Sequence, residues 1–288
     1  MSIDKLQQKI RKLKNPSIID LTPDLEDLPP CLKEAEGSSL QALDRFCTLL
    51  LENLKGIVPG VRFQMGRFAL QGPQGLDLLQ KLMRTAQKLD YYVLLDVPES
   101  LSAQSAQTSA AALAGWPCDG IVISAYIGSD GIKPYIPVLE QNGKSLFVVL
   151  RTANKSASEL QDLMTGSRLV HMAATEMVSR LGEPLVGRCG YAQIAGVGAA
   201  NAAESLRRLR NKHSRLFLMV DGYDYSNANA KNCSEAFDQF GHGAVVCAGS
   251  SITGAWKEMP DQGSDFAAHA VEAAKRMQKN LLRYITVL

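Results

Sequence analysis

The clearest candidate for chemistry in this sequence is Asp96, an acid that ends the apolar run YVLLD at residues 92–96. Continuous apolar runs of this length are typical of buried parallel strands, and the carboxyl end of such a strand is where α/β enzymes place their reactive groups. The next five residues, VPESL, contain one carboxylate, Glu99, and no base. Glu99 could act as an acid or base, but a solvated loop position is the simpler interpretation. The sequence therefore presents an acid without a proton-transfer partner beside it.

Two further features could take part in binding. Arg62, in the apolar run 60–65, is expected on the strand next to that of Asp96. The two could bind a ligand between them, or they could form a satisfied buried ion pair. Such a pair is kept because removing one partner leaves the other charge buried and unpaired. The segment AGSSITG at 248–254, which includes Ser250 and Ser251, places small residues before a helical turn. Its backbone N–H groups could bind an anion, or the segment could be an ordinary capped helix start.

Composition narrows the classes of protein that the chain can represent. It has 288 residues, 46% hydrophobic and 21% charged, with a formal net charge of +2. These values predict a globular protein and favour neither nucleic acid nor a membrane surface as a partner. No apolar run approaches the roughly 20 residues of a membrane-spanning helix. The six cysteines and four histidines lie singly, without metal-ligand spacing, so we expect reduced thiols, a cytoplasmic location and no metal site.

Eight short apolar runs alternate with stretches of helical spacing. The predicted strands are residues 17–21, 60–65, 92–96, 119–124, 146–150, 194–198, 215–220 and 243–248. The predicted helices are 39–55, 74–89, 103–114, 132–141, 168–181, 201–211, 231–240 and a long closing helix at about 264–285. Eight strand–helix units predict an α/β protein, a (β/α)8 TIM barrel that forms a single domain over residues 1–288. One misassigned strand would leave an open parallel sheet instead.

Several segments resemble the orotidine 5'-monophosphate decarboxylase family, specifically its longer-chain bacterial subgroup. The clearest is AYIGSDGIKPYI at 125–136, which is similar to the family's segment after strand four. Other similar segments, in the family's order, are KNPSIIDLTPDLEDLP (14–29), FVVLRTANKSASELQDL (147–163), GYAQIAGVGAANAAESLRRLR (190–210) and GHGAVVCAGSSITGAWK (241–257). The resemblance spans most of the chain and implies the same barrel.

The resemblance implies a reaction, the loss of carbon dioxide from orotidine monophosphate without metal or organic cofactor. The family's motif at the end of strand three is Asp-x-Lys-x-x-Asp. Its lysine protonates the carbon that loses the carboxylate, and its second aspartate acts across a dimer interface. Here Asp96 matches the first acid, but Pro98 stands at the lysine position and Leu101 at the second acid. Proline has no titratable proton and leucine no charge, so the catalytic motif is broken.

The ligand-binding positions that the resemblance implies also differ. Thr22 stands where the family has a ribose-binding aspartate, and Asp20 replaces a glycine two residues earlier. Ala153 replaces the serine that reads the pyrimidine, although Asn154 beside it is kept. Arg62 retains a cation at a lysine position. The expected ligand contacts are therefore only partly preserved.

The phosphate-binding positions are changed most. Ser250 stands at the position of the family's phosphate-binding arginine. Residues 221–228, DGYDYSNA, replace a glycine-rich loop that wraps the phosphate, and they add two acids. Carboxylates repel a phosphate dianion, and an arginine that would offset them is missing from this alignment.

The leading hypothesis is a decarboxylase-like barrel that has lost the decarboxylase reaction. It would persist as a pseudoenzyme with a binding or regulatory role, or with a small nucleotide-like or anionic ligand. The ligand-binding candidates are Thr22, Arg62, Asn154, Ser250 and Ser251, with Asp96 as a residual catalytic group.

Two alternatives remain open. The chain could be a working orotidine monophosphate decarboxylase of de novo pyrimidine biosynthesis, in which Lys133 or Lys155 reaches the site. It could also act by association, as a homodimer or as a heterodimer with a related barrel. In a mixed dimer, Leu101 would fail to supply the acid that the partner needs.

Overall fold

The chain folds around a closed barrel of eight parallel strands, each paired with its neighbours in sequence and the last paired with the first. The computed structural model describes residues 1–225 and 227–288; Ser226, in the loop compared above with the phosphate loop, lies outside the described residues. The predicted single-domain (β/α)8 barrel is confirmed. Its strands are β1 (Ser17–Asp20), β2 (Gly60–Gln64), β3 (Tyr92–Asp96), β4 (Gly120–Ser124), β5 (Ser145–Val149), β6 (Ile194–Ala199), β7 (Leu218–Asp221) and β8 (Ala244–Ala248).

Twelve α-helices accompany the barrel in the described chain. They are α1 (Ser2–Leu13), α2 (Pro30–Ala35), α3 (Ser39–Leu54), α4 (Met65–Ala69), α5 (Gly72–Lys88), α6 (Ala103–Leu113), α7 (Ile136–Asn142), α8 (Val170–Gly182), α9 (Ala203–Lys212), α10 (Ala230–Ser234), α11 (Ser250–Thr253) and α12 (Phe266–Leu281). Eight correspond to the predicted helices, in the predicted order, and α1, α2, α4 and α11 were not predicted. A small antiparallel hairpin, Met164–Thr165 with Arg168–Leu169, extends the loop after β5. Within residues 1–225 and 227–288, no helix combines the length and the apolar character that a membrane crossing requires.

The helix predicted at 231–240 is wrong over its second half, since α10 ends at Ser234. The Asp238 carboxylate accepts hydrogen bonds from the backbone N–H groups of Phe240 and His242, at 2.8 and 2.9 Å. An aspartate that bonds to nearby backbone N–H groups offers the chain an alternative to the helix. The chain therefore turns at Asp238 before it enters β8.

The barrel strands are buried on both faces, which explains their unbroken apolar sequences. Side chains such as Ile18, Val93, Ile121 and Val245 are fully buried. Burying a side chain of this kind stabilises the fold by about 1.5–3 kcal/mol. Parallel strands covered by helices meet this condition, and an alternating pattern would not.

The amino end of the barrel is closed by α1, whose side chains bond to the starts of several strands. The Ser2 hydroxyl lies 2.9 Å from the Tyr92 hydroxyl, at the start of β3. The Ile3 backbone N–H donates to the Gln193 side chain, just before β6, and the Gly243 N–H donates to the Gln7 side chain, just before β8. With this end plugged, the open mouth lies at the carboxyl ends of the strands.

Candidate functional site

A cavity of about 370 Å³ opens at the carboxyl ends of the strands. Asp20, Asp96 and Asp221 are the last residues of β1, β3 and β7, and Arg62 lies two residues before the end of β2. Because all eight strands run in parallel, their carboxyl ends meet at one mouth. The described residues that line the cavity include four aspartates (Asp20, Asp96, Asp221 and Asp224) and two arginines (Arg62 and Arg151). Its size is within the range of small-molecule sites.

Arg62 is the centre of a buried ion-pair network. Its Nη2 and Nε donate to Asp20 Oδ2 at 2.5 and 3.1 Å, and its Nη1 donates to Asp221 Oδ2 at 3.0 Å. The Gln64 amide donates to the same Asp20 oxygen at 2.5 Å. Burial by itself lowers the pKa of Arg62, but the facing carboxylates of Asp20, Asp221 and Asp96 raise this pKa well above its usual value. The guanidinium therefore stays charged and held in place.

The expected pairing of Arg62 with Asp96 is wrong. Strand register places Arg62 level with Asp20, whereas Asp96 is level with Gln64 at the end of β2. The guanidinium therefore pairs with Asp20 of β1 and Asp221 of β7. Asp96 forms no ion pair or side-chain hydrogen bond with any residue that the structure describes. Arg62 is a satisfied buried cation, but its partners are Asp20 and Asp221 and not Asp96.

Asp96 is the perturbed acid of the site. Burial raises the pKa of the Asp96 carboxyl to about 6; Arg62 lowers it, and the neighbouring Asp20 and Asp221 raise it again. A titratable group in a cavity with a pKa moved close to neutrality is typical of binding and catalytic sites. Asp96 can therefore exchange a proton near physiological pH, although no amine stands beside it to receive or supply one among the described residues that line the cavity.

The lysines that an active enzyme would need are elsewhere. Lys133 and Lys155 are both exposed, and neither lines the cavity. The cations that do line it in the described chain are guanidiniums, and Arg151 is held by a two-point pair with Asp162 at 2.9 and 2.8 Å. An arginine remains protonated in proteins, so it does not replace a lysine as proton donor.

The two residues that the resemblance aligns with the family's lysine and second acid lie on the rim. Pro98 is exposed and Leu101 is 79% exposed, and neither lines the cavity. Glu99 lines a separate, more apolar cavity of about 580 Å³ beside β4 and β5, together with Tyr126 and His171. Strand β3 therefore contributes Asp96 to the mouth, and none of the described lining residues comes from the loop after β3.

The anion-binding candidates after β8 are already occupied by the protein itself. The Asp224 carboxylate accepts hydrogen bonds from the backbone N–H groups of Gly249, at 2.6 Å, and Ser251, at 3.1 Å. These are the amides that the AGSSITG segment would offer to an anion. Ser250 is exposed and lines a neighbouring cavity of about 470 Å³. A loop carboxylate thus stands where a bound anion was expected.

The other ligand candidates are partly assembled. Asn154 lines the mouth cavity, and its side-chain oxygen accepts a hydrogen bond from the Thr152 hydroxyl. Thr22 lines the neighbouring cavity, where its hydroxyl accepts from the Gln64 backbone N–H at 3.0 Å. In the described chain, no group of three or more histidine, cysteine, aspartate or glutamate side chains is arranged to hold a metal ion.

Sequence reasoning missed Gln64 and Arg151, and it did not foresee that Asp221 binds Arg62. Asp221 could have been found, because it ends an apolar run as Asp96 does. Gln64 and Arg151 had no distinguishing pattern, since each belongs to the site only through its partners in the folded chain.

Comparison with known proteins agrees with the resemblance. No family model matches the chain. It is 27% identical over 266 residues to an orotidine 5'-phosphate decarboxylase from Rhodopirellula baltica, covering 88% of both chains. It is 26% identical over 284 residues to one from Clostridium novyi, covering 98% of both. The resemblance to curated orotidine 5'-phosphate decarboxylases over most of the chain is confirmed.

Solved structures show the same fold. A putative orotidine-monophosphate decarboxylase from Toxoplasma gondii superposes with a TM-score of 0.78 at 19% identity, over 96% of this chain and 98% of that one. Another from Plasmodium yoelii gives a TM-score of 0.82 at 15% identity, over 98% of both chains. At this level of identity the likeness establishes the barrel and not the chemistry.

Proposed function

We propose that this decarboxylase-like barrel has lost the decarboxylase reaction and uses its mouth to bind a different ligand. The observation that carries the proposal is the composition of the mouth: Asp96 is kept, but no described residue lining the cavity has an amine. The resemblance assigns proton delivery to a lysine, whose position is Pro98. An ammonium supplies both a charge and a proton to a developing carbanion, and a guanidinium or proline supplies no such proton.

The charges of the mouth also disfavour the family's substrate. Orotidine monophosphate carries a phosphate and a carboxylate, and this cavity presents four aspartates. Two like charges 4 Å apart repel by about 4 kcal/mol at the effective dielectric constant of a protein surface. Arg62 pairs with Asp20 and Asp221, so it leaves Asp96 and Asp224 without an ion-pair partner among the described residues. Asp224 in addition occupies the backbone amides of Gly249 and Ser251.

A direct assay tests the proposal. Purified protein is incubated with orotidine monophosphate, and the loss of substrate absorbance and the release of carbon dioxide are followed. The curated relative from Clostridium novyi, assayed under the same conditions, serves as the positive control. We expect no turnover above the rate without protein. Turnover on the order of one per second, as in an ordinary enzyme, would refute the proposal.

A second candidate function is the active decarboxylase, and the names of the curated relatives favour it. Under this alternative the proton donor must come from outside the motif, and Lys133 and Lys155 are the candidates. Alanine at either position should then abolish turnover. Because both side chains are exposed, these substitutions are tolerated by the fold. If the wild-type chain is active and both variants keep its rate, neither lysine is the donor.

The proposed assembly is a dimer, with a second copy or with a related barrel. Large apolar side chains are exposed on the loops after β3, β4 and β5: Leu101 at 79%, Tyr126 at 73% and Met164 at 63%. Sedimentation of the chain alone tests self-association. Mixing it with an active relative tests the heterodimer, because Leu101 cannot supply an acid to the partner and the mixture should lose activity. No change in mass or in rate would count against the assembly.

A further inference from the structure

A side cavity of about 490 Å³ lies between the segment that follows β7 and the end of α12. From the first segment it is lined by Tyr223 and residues 228–231, and from the second by Asn280, Arg283 and Tyr284. It shares no described lining residue with the mouth cavity. Its volume is within the range of small-molecule sites, and the proposed function makes no use of it.

The charges that line this side cavity are all positive. Lys231 and Arg283 line it, and no carboxylate does so among the described residues. Both cations are exposed, and neither takes part in an ion pair in the described chain. Glu235, one turn after Lys231, pairs instead with Arg207. The side cavity is therefore open to an anion, in contrast to the mouth with its four aspartates.

Further cations lie beside it. Arg276 and Lys279 precede Arg283 at intervals of three and four residues, which places the three on one side of α12 and the turn after it. Burial raises the pKa of Tyr223, Asp224 raises it further and Arg276 lowers it, so Arg276 is also close to the side cavity. The Asp224 carboxylate itself is directed to the backbone N–H groups after β8.

Two aromatic rings line the same space. Tyr223 is half-buried and packs against the hydrophobic core, whereas Tyr284 is 54% exposed. Rings of this kind offer a surface on which a planar base can stack. The side-chain amide of Asn280, between them in the lining, can both donate and accept hydrogen bonds. Unpaired cations, aromatic rings and an amide together suit a ligand that has an aromatic base and a phosphate.

We infer that the side cavity binds a nucleoside monophosphate, with its base against Tyr223 and Tyr284 and its phosphate at Lys231 and Arg283. Inorganic phosphate would leave the rings unused, and an uncharged nucleoside would leave the cations unused. This site is separate from the mouth, so the inference goes beyond the proposed function and does not depend on it.

The probe is adenosine monophosphate, compared with adenosine and with inorganic phosphate by calorimetry on the wild-type protein. We expect the nucleotide to bind at least about ten-fold more tightly than either part alone, because only the nucleotide meets both the rings and the cations. Arg283→Met and Tyr284→Ala should each weaken nucleotide binding about ten-fold, and both positions are exposed, so the fold tolerates the changes. Lys275→Met is the matched control: Lys275 is an exposed cation of α12 that pairs with Glu272 and does not line the side cavity.

Several results would overturn the inference. They are no nucleotide binding to the wild type, equal binding of adenosine and the nucleotide, undiminished binding to Arg283→Met, or an equal loss in Lys275→Met, which would indicate unspecific attraction to the charges of α12. The comparison of the three ligands needs no variant, so it can refute the inference even if a variant fails to fold. The decarboxylase assay separates the two claims, since turnover refutes the proposed function and leaves the side cavity untouched.

Discussion

Replacing Asp96 by asparagine should stabilise the protein at neutral pH. The folded chain raises the pKa of this carboxyl from its ordinary value of 3.8 to about 6, mainly through burial. A difference of this size between folded and unfolded chain amounts to roughly 3 kcal/mol of unfolding free energy that ionised Asp96 subtracts at pH 7. Asparagine has nearly the same shape and no charge, so Asp96→Asn should regain most of it.

The pH dependence gives the prediction a specific form. Because the folded-state pKa is raised, the folded chain binds more protons than the unfolded chain between about pH 4 and 6. The ionisation of Asp96 therefore lowers stability as pH rises through this window, and its full cost is present above pH 6. The advantage of Asp96→Asn over the wild type should fall to about half near pH 5 and vanish below about pH 4.

The assay is urea unfolding of wild type and variant at several pH values, followed by circular dichroism. Asp77→Asn is the control, since an exposed carboxylate away from the site should change the unfolding free energy by less than about 0.5 kcal/mol. The reasoning is refuted if Asp96→Asn is no more stable than the wild type at pH 7. It is also refuted if the gain is independent of pH, because the cause would then not be the buried charge.

Three further predictions test the rest of the site. Arg62→Met leaves the buried carboxylates of its ion pairs without a cation and should lower the unfolding free energy by about 3–5 kcal/mol in urea titrations. The control Arg67→Met removes an exposed ion pair and should lower it by less than about 1 kcal/mol. Equal losses would contradict the buried network. Asp224→Ala removes the carboxylate that accepts hydrogen bonds from the backbone N–H groups of Gly249 and Ser251. Inorganic phosphate should then raise the melting temperature of the variant and not of the wild type. Identical responses would show that Asp224 does not block phosphate binding. Gly222→Ala places a Cβ against the side chains of Ala153 and Tyr225 at a positive φ and should lower the melting temperature. In the control Gly66→Ala, the added Cβ meets no neighbouring group within 4 Å and φ is not positive. Equal melting temperatures of the two variants would contradict the close packing of this loop.

The fold could be predicted because its determinants are local. Runs such as 92–96 and 243–248 are apolar throughout, and parallel strands buried on both faces require this composition whatever their partners are. Eight such runs alternating with helical stretches leave little choice of architecture. The prediction failed where a local side-chain contact competed with the helix, as with Asp238 after α10.

The candidate site could be predicted only in part. That Asp96 ends a strand and lies at the mouth follows from the sequence, as does the absence of a lysine at position 98. The partner of Arg62 does not, because the register between β1, β2 and β3 decides which acid stands level with it. The role of Asp224 was not predicted. It was expected only to repel a phosphate, but its carboxylate accepts hydrogen bonds from the backbone N–H groups of Gly249 and Ser251 after β8.

The sequence by itself predicted the barrel, the place of its mouth, and a proline, Pro98, at the position where the resemblance implies a lysine. These properties depend on residue types and on spacing along the chain. Only the tertiary structure decided how the charges of the mouth are matched. Arg62 meets acids 42 and 159 residues away, and the energy of a charge depends on distances and burial that no spacing in the sequence records. Asp96 is therefore a strand-ending acid by sequence, and by structure a buried carboxyl with a pKa raised to about 6 and no ion-pair partner among the described residues.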